Sequence, residues 1–191
     1  MSKPTLRTFI AYVEDLPGVL NRVTSLLRRR NYNIVSLNVG RTEREGVSRM
    51  TVVVEADEDA ARRIEANLYK LVNVLFVEDT SRAATMVREL ALVKVRADAT
   101  SRSEVMRLCD VFRARVVDVG PEALVAEITG AEDKIDGLVD VLRPFGIIEM
   151  VRTGAIAMVR SAEIATDAGK IPLSVPPPPP PGSPSGSIKA A

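Results

Sequence analysis

Leu6-Arg7-Thr8-Phe9-Ile10-Ala11-Tyr12-Val13-Glu14-Asp15-Leu16-Pro17-Gly18-Val19-Leu20-Asn21-Arg22-Val23-Thr24-Ser25-Leu26-Leu27 decides the fold. Leu6 to Val13 is rich in aromatic and β-branched residues and reads as a strand. Glu14-Asp15-Leu16-Pro17-Gly18 is a turn, with a ring-locked φ at Pro17 and a free backbone at Gly18. Val19, Leu20, Val23, Leu26 and Leu27 then recur at helical spacing, which predicts an amphipathic helix to about Arg30. Asn31 suits a left-handed residue ending it.

Outward from this unit, Ile34 to Val39 is the next strand and Arg41 to Gly46 a polar hairpin loop. Val47 to Glu55 is a strand centred on Val52-Val53-Val54. Asp57 is placed to cap a second helix, Glu58 to Leu71, with Ala60, Ala61, Ile64 and Leu68 inward. Val72 to Glu78 is a fourth strand. The order strand–helix–strand–strand–helix–strand folds as an antiparallel sheet with both helices on one face. The remainder repeats it. Leu90 to Ala97 is a strand and Ser101 to Phe112 a helix, with Val105, Leu108, Cys109 and Phe112 on one stripe. Arg115 to Val119 and Leu124 to Ile128 are strands about the Gly120-Pro121 turn. Ala131 to Leu142 is a helix, and Phe145 to Arg152 a last strand that Ala155 to Val159 extends.

The expected fold class is therefore α+β, two ferredoxin-like βαββαβ domains over residues 5–79 and 88–166, joined by a linker at 80–87. Residues 167–191 hold the unbroken run Pro176 to Pro181 and then Gly182-Ser183-Pro184-Ser185-Gly186-Ser187. Proline offers no N–H to a ladder, so this segment is expected to be a disordered tail.

Composition narrows the function. The chain has 191 residues, no His, no Trp and one Cys. Without His there is no Ser-His-Asp or Cys-His pair and no imidazole ligand. Cys109 alone makes neither a zinc site nor a disulfide framework. Acid–base chemistry would need a strongly shifted carboxylate or Lys. Lys and Arg total 26 against 25 Asp and Glu, a net charge of +1 that gives no bulk attraction to nucleic acid. Apolar runs are too short to span a bilayer. The first residues lead directly into a strand, so no signal peptide and no membrane partner are expected. A cytoplasmic location fits the single free thiol.

Three features could carry chemistry. The Asp15-Leu16-Pro17-Gly18 turn opens a helix, whose unpaired N–H groups attract an anion. A nearby carboxylate could hold an ammonium group, so the pair would suit an amino acid; local sequence by itself favours an ordinary strand-to-helix turn. Asn33 could face that turn, within its own domain or across a dimer, and its amide both donates and accepts; a helix cap and turn explains it as well. Arg28-Arg29-Arg30 and Arg62-Arg63 read as solvated helix faces, the first complementing a helix C-terminus. Asp57/Asp59 and Glu132/Asp133 sit at helix starts, where capping accounts for them.

Glu14-Asp15-Leu16-Pro17-Gly18-Val19-Leu20-Asn21-Arg22-Val23 resembles the signature of an ACT domain, an amino-acid-sensing module. Asn31-Tyr32-Asn33-Ile34-Val35-Ser36-Leu37-Asn38-Val39-Gly40 and Ser48-Arg49-Met50-Thr51-Val52 narrow the resemblance to the small regulatory subunit of acetolactate synthase (acetohydroxyacid synthase). Arg88-Glu89-Leu90-Ala91-Leu92-Val93-Lys94-Val95 is similar to that family's domain junction, and Phe112 to Val119 and Pro144 to Gly154 to its C-terminal domain. The resemblance implies a non-catalytic subunit in branched-chain amino-acid biosynthesis that activates a large catalytic subunit and confers feedback inhibition, usually by valine. It implies no cofactor in this chain; thiamine diphosphate, FAD and Mg²⁺ belong to the partner. It also implies a homodimer through the ACT domains. It places the effector against the backbone of Gly18, Val19 and Leu20, with Asp15 and Asn33 as polar partners and Ile34 nearby. The alternative is a free-standing ACT-type amino-acid sensor without a catalytic partner.

Overall fold

The computed structural model describes residues 4–160; the expected tail and the end of the second expected domain lie outside these residues. The elements run β1 (Thr5–Glu14), α1 (Val19–Arg29), β2 (Ile34–Arg41), β3 (Val47–Ala56), α2 (Glu58–Leu68), β4 (Val74–Asp79), β5 (Thr85–Arg96), α3 (Arg102–Val111), β6 (Arg115–Val119), β7 (Ala123–Gly130), α4 (Glu132–Leu142), β8 (Ile147–Arg152) and β9 (Ile156–Val159). The first sheet has the order β2-β3-β1-β4 and the second β6-β7-β5-β8, with β9 paired to β5. All described pairings are antiparallel. The α+β class and the doubled βαββαβ order are thus those read from the sequence.

Alternation on the strands sets which face is covered. Phe9, Ala11 and Val13 of β1 and Met50, Val52 and Val54 of β3 are buried in one core with Val19, Val23 and Leu27 of α1 and Ala60, Ala61, Ile64 and Leu68 of α2. In the second module, Ala91, Val93 and Val95 meet Val105, Cys109, Ile135, Leu138 and Leu142 in the same way. Both helices of each module therefore cover one face of its sheet, the arrangement that a period-2 strand and a period-3.6 helix can bury together.

The opposite face of the first sheet is also shielded. Ile10, Thr51, Val53 and Phe76 are buried, although they point away from the helices. The β5–β9 ribbon accounts for this. The Arg49 guanidinium donates to the Ala157 carbonyl and lies 5.8 Å from the Tyr12 ring centroid. The Ala155 N–H donates to Ser36 Oγ at 2.8 Å, and Asn38 Nδ2 donates to the Thr153 carbonyl at 3.4 Å.

The structure fixes the element boundaries, some of them away from those expected. Residues 80–87, expected as a linker, contain a 3₁₀ turn at Thr80–Arg82 and the first residues of β5. That early part of β5 pairs with β9, Thr85 opposite Val159 through Arg88 opposite Ile156. Ala155–Val159 does extend the path of β8: after Arg152 opposite Ala91, the Thr153 N–H donates to the Leu90 carbonyl at 3.0 Å and Ile156 falls opposite Arg88, with Gly154, at φ +78, absorbing a one-residue shift in register. The second helix ends at Leu68 instead of Leu71, because Lys70 and Leu71 bond back three residues to Asn67 and Leu68. That tighter winding leaves Val72 exposed and delivers Val74 to β4. Phe145 sits in a 3₁₀ turn, and β8 begins at Ile147.

Candidate functional site

The Asp15–Leu20 turn is built by the end of β1 and the start of α1. The Asp15 N–H donates to the Gly46 carbonyl at 2.8 Å, tying the turn to the β2–β3 hairpin. Gly18 is the N-cap of α1 at φ +85, a conformation that costs L-residues but not glycine. It has no side chain to bond the helix N–H groups, and the first turn of α1 contains no acid. Among the described residues the Leu20 and Asn21 N–H groups have no acceptor. A Cβ added at Gly18 would meet nothing within 4 Å. The positive end of the α1 dipole is therefore uncapped and faces open space, a setting that receives a carboxylate.

The side chains divide by role. Val19 is buried in the core, so only its backbone reaches the turn's surface. Leu20 is exposed and can meet an apolar ligand. Asp15 lies 3.4 Å from Arg41 Nε, at the end of β2. The pair is exposed and contributes little to stability, but it offsets a negative charge beside an anion-receptive turn. Asp15 and Arg41 also line a cavity of about 290 Å³ with Thr42, Arg44 and Val47 of the hairpin. The Thr42 hydroxyl shapes that hairpin, donating to the Val47 carbonyl at 3.0 Å and accepting from the Arg44 N–H at 3.1 Å. Arg41 and Thr42 were not among the residues picked from the sequence. The strand register that brings Arg41 opposite Ser48, beside the end of β1, is what reveals them.

Asn33 and Ile34 are elsewhere. Asn31 adopts φ +59 and ends the α1 unit, as its residue type suggested. Asn33 is exposed and Ile34 packs half-buried against the first core. Ile34 pairs with Val54, and Val54 with Arg7, whereas Arg41 pairs with Ser48, and Ser48 with Val13. Asn33 therefore lies at the Arg7 end of the sheet and Gly18 at the Glu14 end. The rise along β1 between those ends is about 23 Å. Within one chain the structure brings Asp15, Gly18, Val19 and Leu20 together and leaves Asn33 and Ile34 apart, which removes the expectation that Asn33 meets the turn inside its own domain.

Other chemistry is sparse. Cys109 is buried, and burial pushes its thiol above the ordinary range, away from the reactive thiolate. Among the described residues no group of three or more His, Cys, Asp or Glu is placed to hold a metal ion, and no helix is long and apolar enough to cross a membrane.

A glycine-opened helix on the first of two βαββαβ modules defines an α+β protein of two ferredoxin-like units. Residues 9–76 match the AHAS small subunit-like ACT domain, and residues 88–161 match the family described as small subunit of acetolactate synthase. The probable acetolactate synthase small subunit of Archaeoglobus fulgidus is 44% identical over 153 residues, 80% of this chain and 96% of that protein. The acetolactate synthase small subunit of Mycobacterium bovis is 46% identical over 157 residues, 82% of this chain and 94% of that one. The crystal structure of the acetolactate synthase small subunit from Thermotoga maritima superposes with a TM-score of 0.77 at 35% identity, over 82% of this chain and 98% of that one. The chain belongs to the acetolactate synthase small-subunit family.

Proposed function

We propose that this protein is the regulatory subunit that raises the activity of an acetolactate synthase catalytic subunit and makes it answer to valine, sensed between the ACT domains of two copies. The observation that carries the reading is the separation of Asn33 from Gly18 along a sheet whose β2 edge is open. β2 is an edge strand with Val35 and Val39 exposed, a template for pairing with another chain. Antiparallel pairing of two β2 strands about a twofold axis would bring Asn33 of one copy beside the Asp15–Leu20 turn of the other. The site is complete only in that dimer.

The chemistry suits a small apolar amino acid. Its carboxylate would take the free Leu20 and Asn21 N–H groups above Gly18. Its ammonium would meet the Asn33 amide oxygen and Asp15, with Arg41 balancing the latter. Leu20 and Ile34 would line the side chain. Bound effector favours one arrangement of the dimer by its differential affinity for the two, and that arrangement alters the hold on the catalytic partner. The reaction and its thiamine diphosphate, FAD and Mg²⁺ belong to that partner in the cytoplasm; this chain contributes binding and geometry.

Calorimetric titration with valine, leucine and isoleucine tests the reading. Saturable heat with valine is expected. Absence of heat with all three, together with a valine-insensitive reconstituted enzyme, would overturn it. Asn33→Ala should abolish inhibition while keeping activation.

A further inference from the structure

The outer surface of the helix layer holds a second concavity, distinct from the effector turn. It is a groove of about 390 Å³ between α1 and the end of α2, lined by Arg22, Arg29, Arg30 and Lys70 with Asn67, and no carboxylate is among its lining residues. This is a local departure in a chain with 26 cations and 25 anions. Some exposed arginines elsewhere meet acids, Arg62 with Glu58 and Asp59, Arg143 with Asp140 and Arg41 with Asp15, while Arg63, Arg107 and Arg113 stand singly among the described residues; the groove differs in gathering four cations around one concavity. None of the four groove cations forms an ion pair among the described residues.

Helix stability explains only part of this cluster. Arg29 lies in the last turn of α1, where a cation complements the dipole. Arg22 lies near the start of α1, where a cation opposes it. Neutral amides hold the cations in place without cancelling them. Asn67 is buried, at 7% exposure. Its Nδ2 donates to the Arg63 carbonyl at 2.6 Å, leaving Oδ1 to accept from Arg30 at 3.3 Å and from Lys70 Nζ at 3.4 Å. Arg22 donates to Asn73 Oδ1, and Asn73 Nδ2 donates to Glu14. Arg22, Arg30 and Lys70 are thus held by neutral amides, beside Arg29 and with no carboxylate among the lining residues.

We infer that the α1–α2 groove binds a small molecule bearing linked phosphate groups. Several cations around one concavity of this size suit a multiply charged oxyanion, and guanidinium groups meet phosphate oxygens in paired hydrogen bonds. A single-stranded nucleic acid would use aromatic rings for stacking, and no aromatic residue lines the groove. The inference is independent of the amino-acid reading of the Gly18 turn.

The test is calorimetric titration of the full chain with pyrophosphate and tripolyphosphate, with sulfate as reference, at constant ionic strength near 0.1 M, where the Debye length is about 10 Å. The expected result is saturable binding that tightens from sulfate to tripolyphosphate. The double variant Arg29→Gln, Lys70→Gln, both exposed positions, should weaken it about tenfold or more, while Arg62→Gln, which removes an arginine already paired with acids, should leave it unchanged. Unchanged melting of each variant shows that the fold is kept. No saturable binding by the unaltered chain, equal weakening by Arg62→Gln, or tighter binding of a single-stranded oligonucleotide that is lost in the double variant would each overturn the inference.

Discussion

Replacing Gly18 with Ala separates backbone cost from ligand exclusion. At φ +85 an L-residue is strained by about 1–2 kcal/mol. The unfolded chain, stiffer by one side chain, returns about 0.4–1 kcal/mol. No steric contribution is added, because the new Cβ meets no atom within 4 Å. The net loss is about 1 kcal/mol, a fall in Tm of about 3 °C if the described body unfolds as one unit. A domain stable by several kcal/mol remains almost wholly folded after such a loss, so unfolding cannot lower valine affinity measurably. The methyl group, however, stands in the open space over the helix N-terminus that the effector carboxylate would use. Valine affinity should therefore fall at least about tenfold, or 1.4 kcal/mol, far more than the stability change alone predicts. The assay is paired: a thermal melt and a calorimetric valine titration on the same sample. Gly146→Ala is the control, since Gly146 also has positive φ, at +95, but lies in the second module, where its Cβ would meet the flexible Arg96 side chain at 3.2 Å. Normal valine affinity in Gly18→Ala, or an equal loss in Gly146→Ala, would refute the reasoning.

Three further outcomes can be checked by melting and exchange. Asp98 accepts from the hydroxyl and N–H of Thr100 and of Ser101 at the start of α3, and these bonds hold its carboxyl well below the usual carboxylate range. A lowered folded value gives stability that is complete above the ordinary carboxylate pKa and is lost as pH falls below it, so Asp98→Asn should lower Tm at neutral pH and flatten the decline between about pH 5 and pH 2; an unaltered profile would contradict this. Gly154→Ala combines positive φ with a Cβ only 2.6 Å from Ser36 Oγ, so it should disturb the bond from Ala155 and raise amide exchange at Ala155–Val159 while leaving α3 and α4 unchanged. Ile64→Ala, at a site with 1% exposure, should cost about 2–5 kcal/mol, against less than about 0.5 for Val72→Ala, whose side chain is 89% exposed.

What could be read in advance follows from how local its cause is. The strand formers of β1, the Pro17-Gly18 turn and the helical spacing after Val19 all act on neighbouring residues, and the structure has each where the pattern put it. Asn31 at φ +59 and Asp57 accepting from the Ala60 N–H are likewise consequences of residue type and position. The strand character of Thr85–Arg88 is not legible locally, because it depends on β9, some seventy residues on, which pairs with it. The Gly18 turn and Asn33 were both singled out, yet nothing in the sequence between them states that Asn33 begins its strand at the far end of the sheet. Register supplies that, and with it the argument for a second copy. The Arg28-Arg29-Arg30 run read as a solvated face because the partners that make a groove of it, Asn67 and Lys70, come from the end of α2.

The central claim is regulation of a catalytic partner by an amino acid sensed at the ACT domain. Its most direct test is the acetolactate synthase activity of the cognate large subunit, alone and with this protein, across a valine titration. The account predicts higher activity on adding the chain and a saturable fall with valine that Asn33→Ala abolishes. Unchanged activity on adding the chain, at every valine concentration, would contradict it.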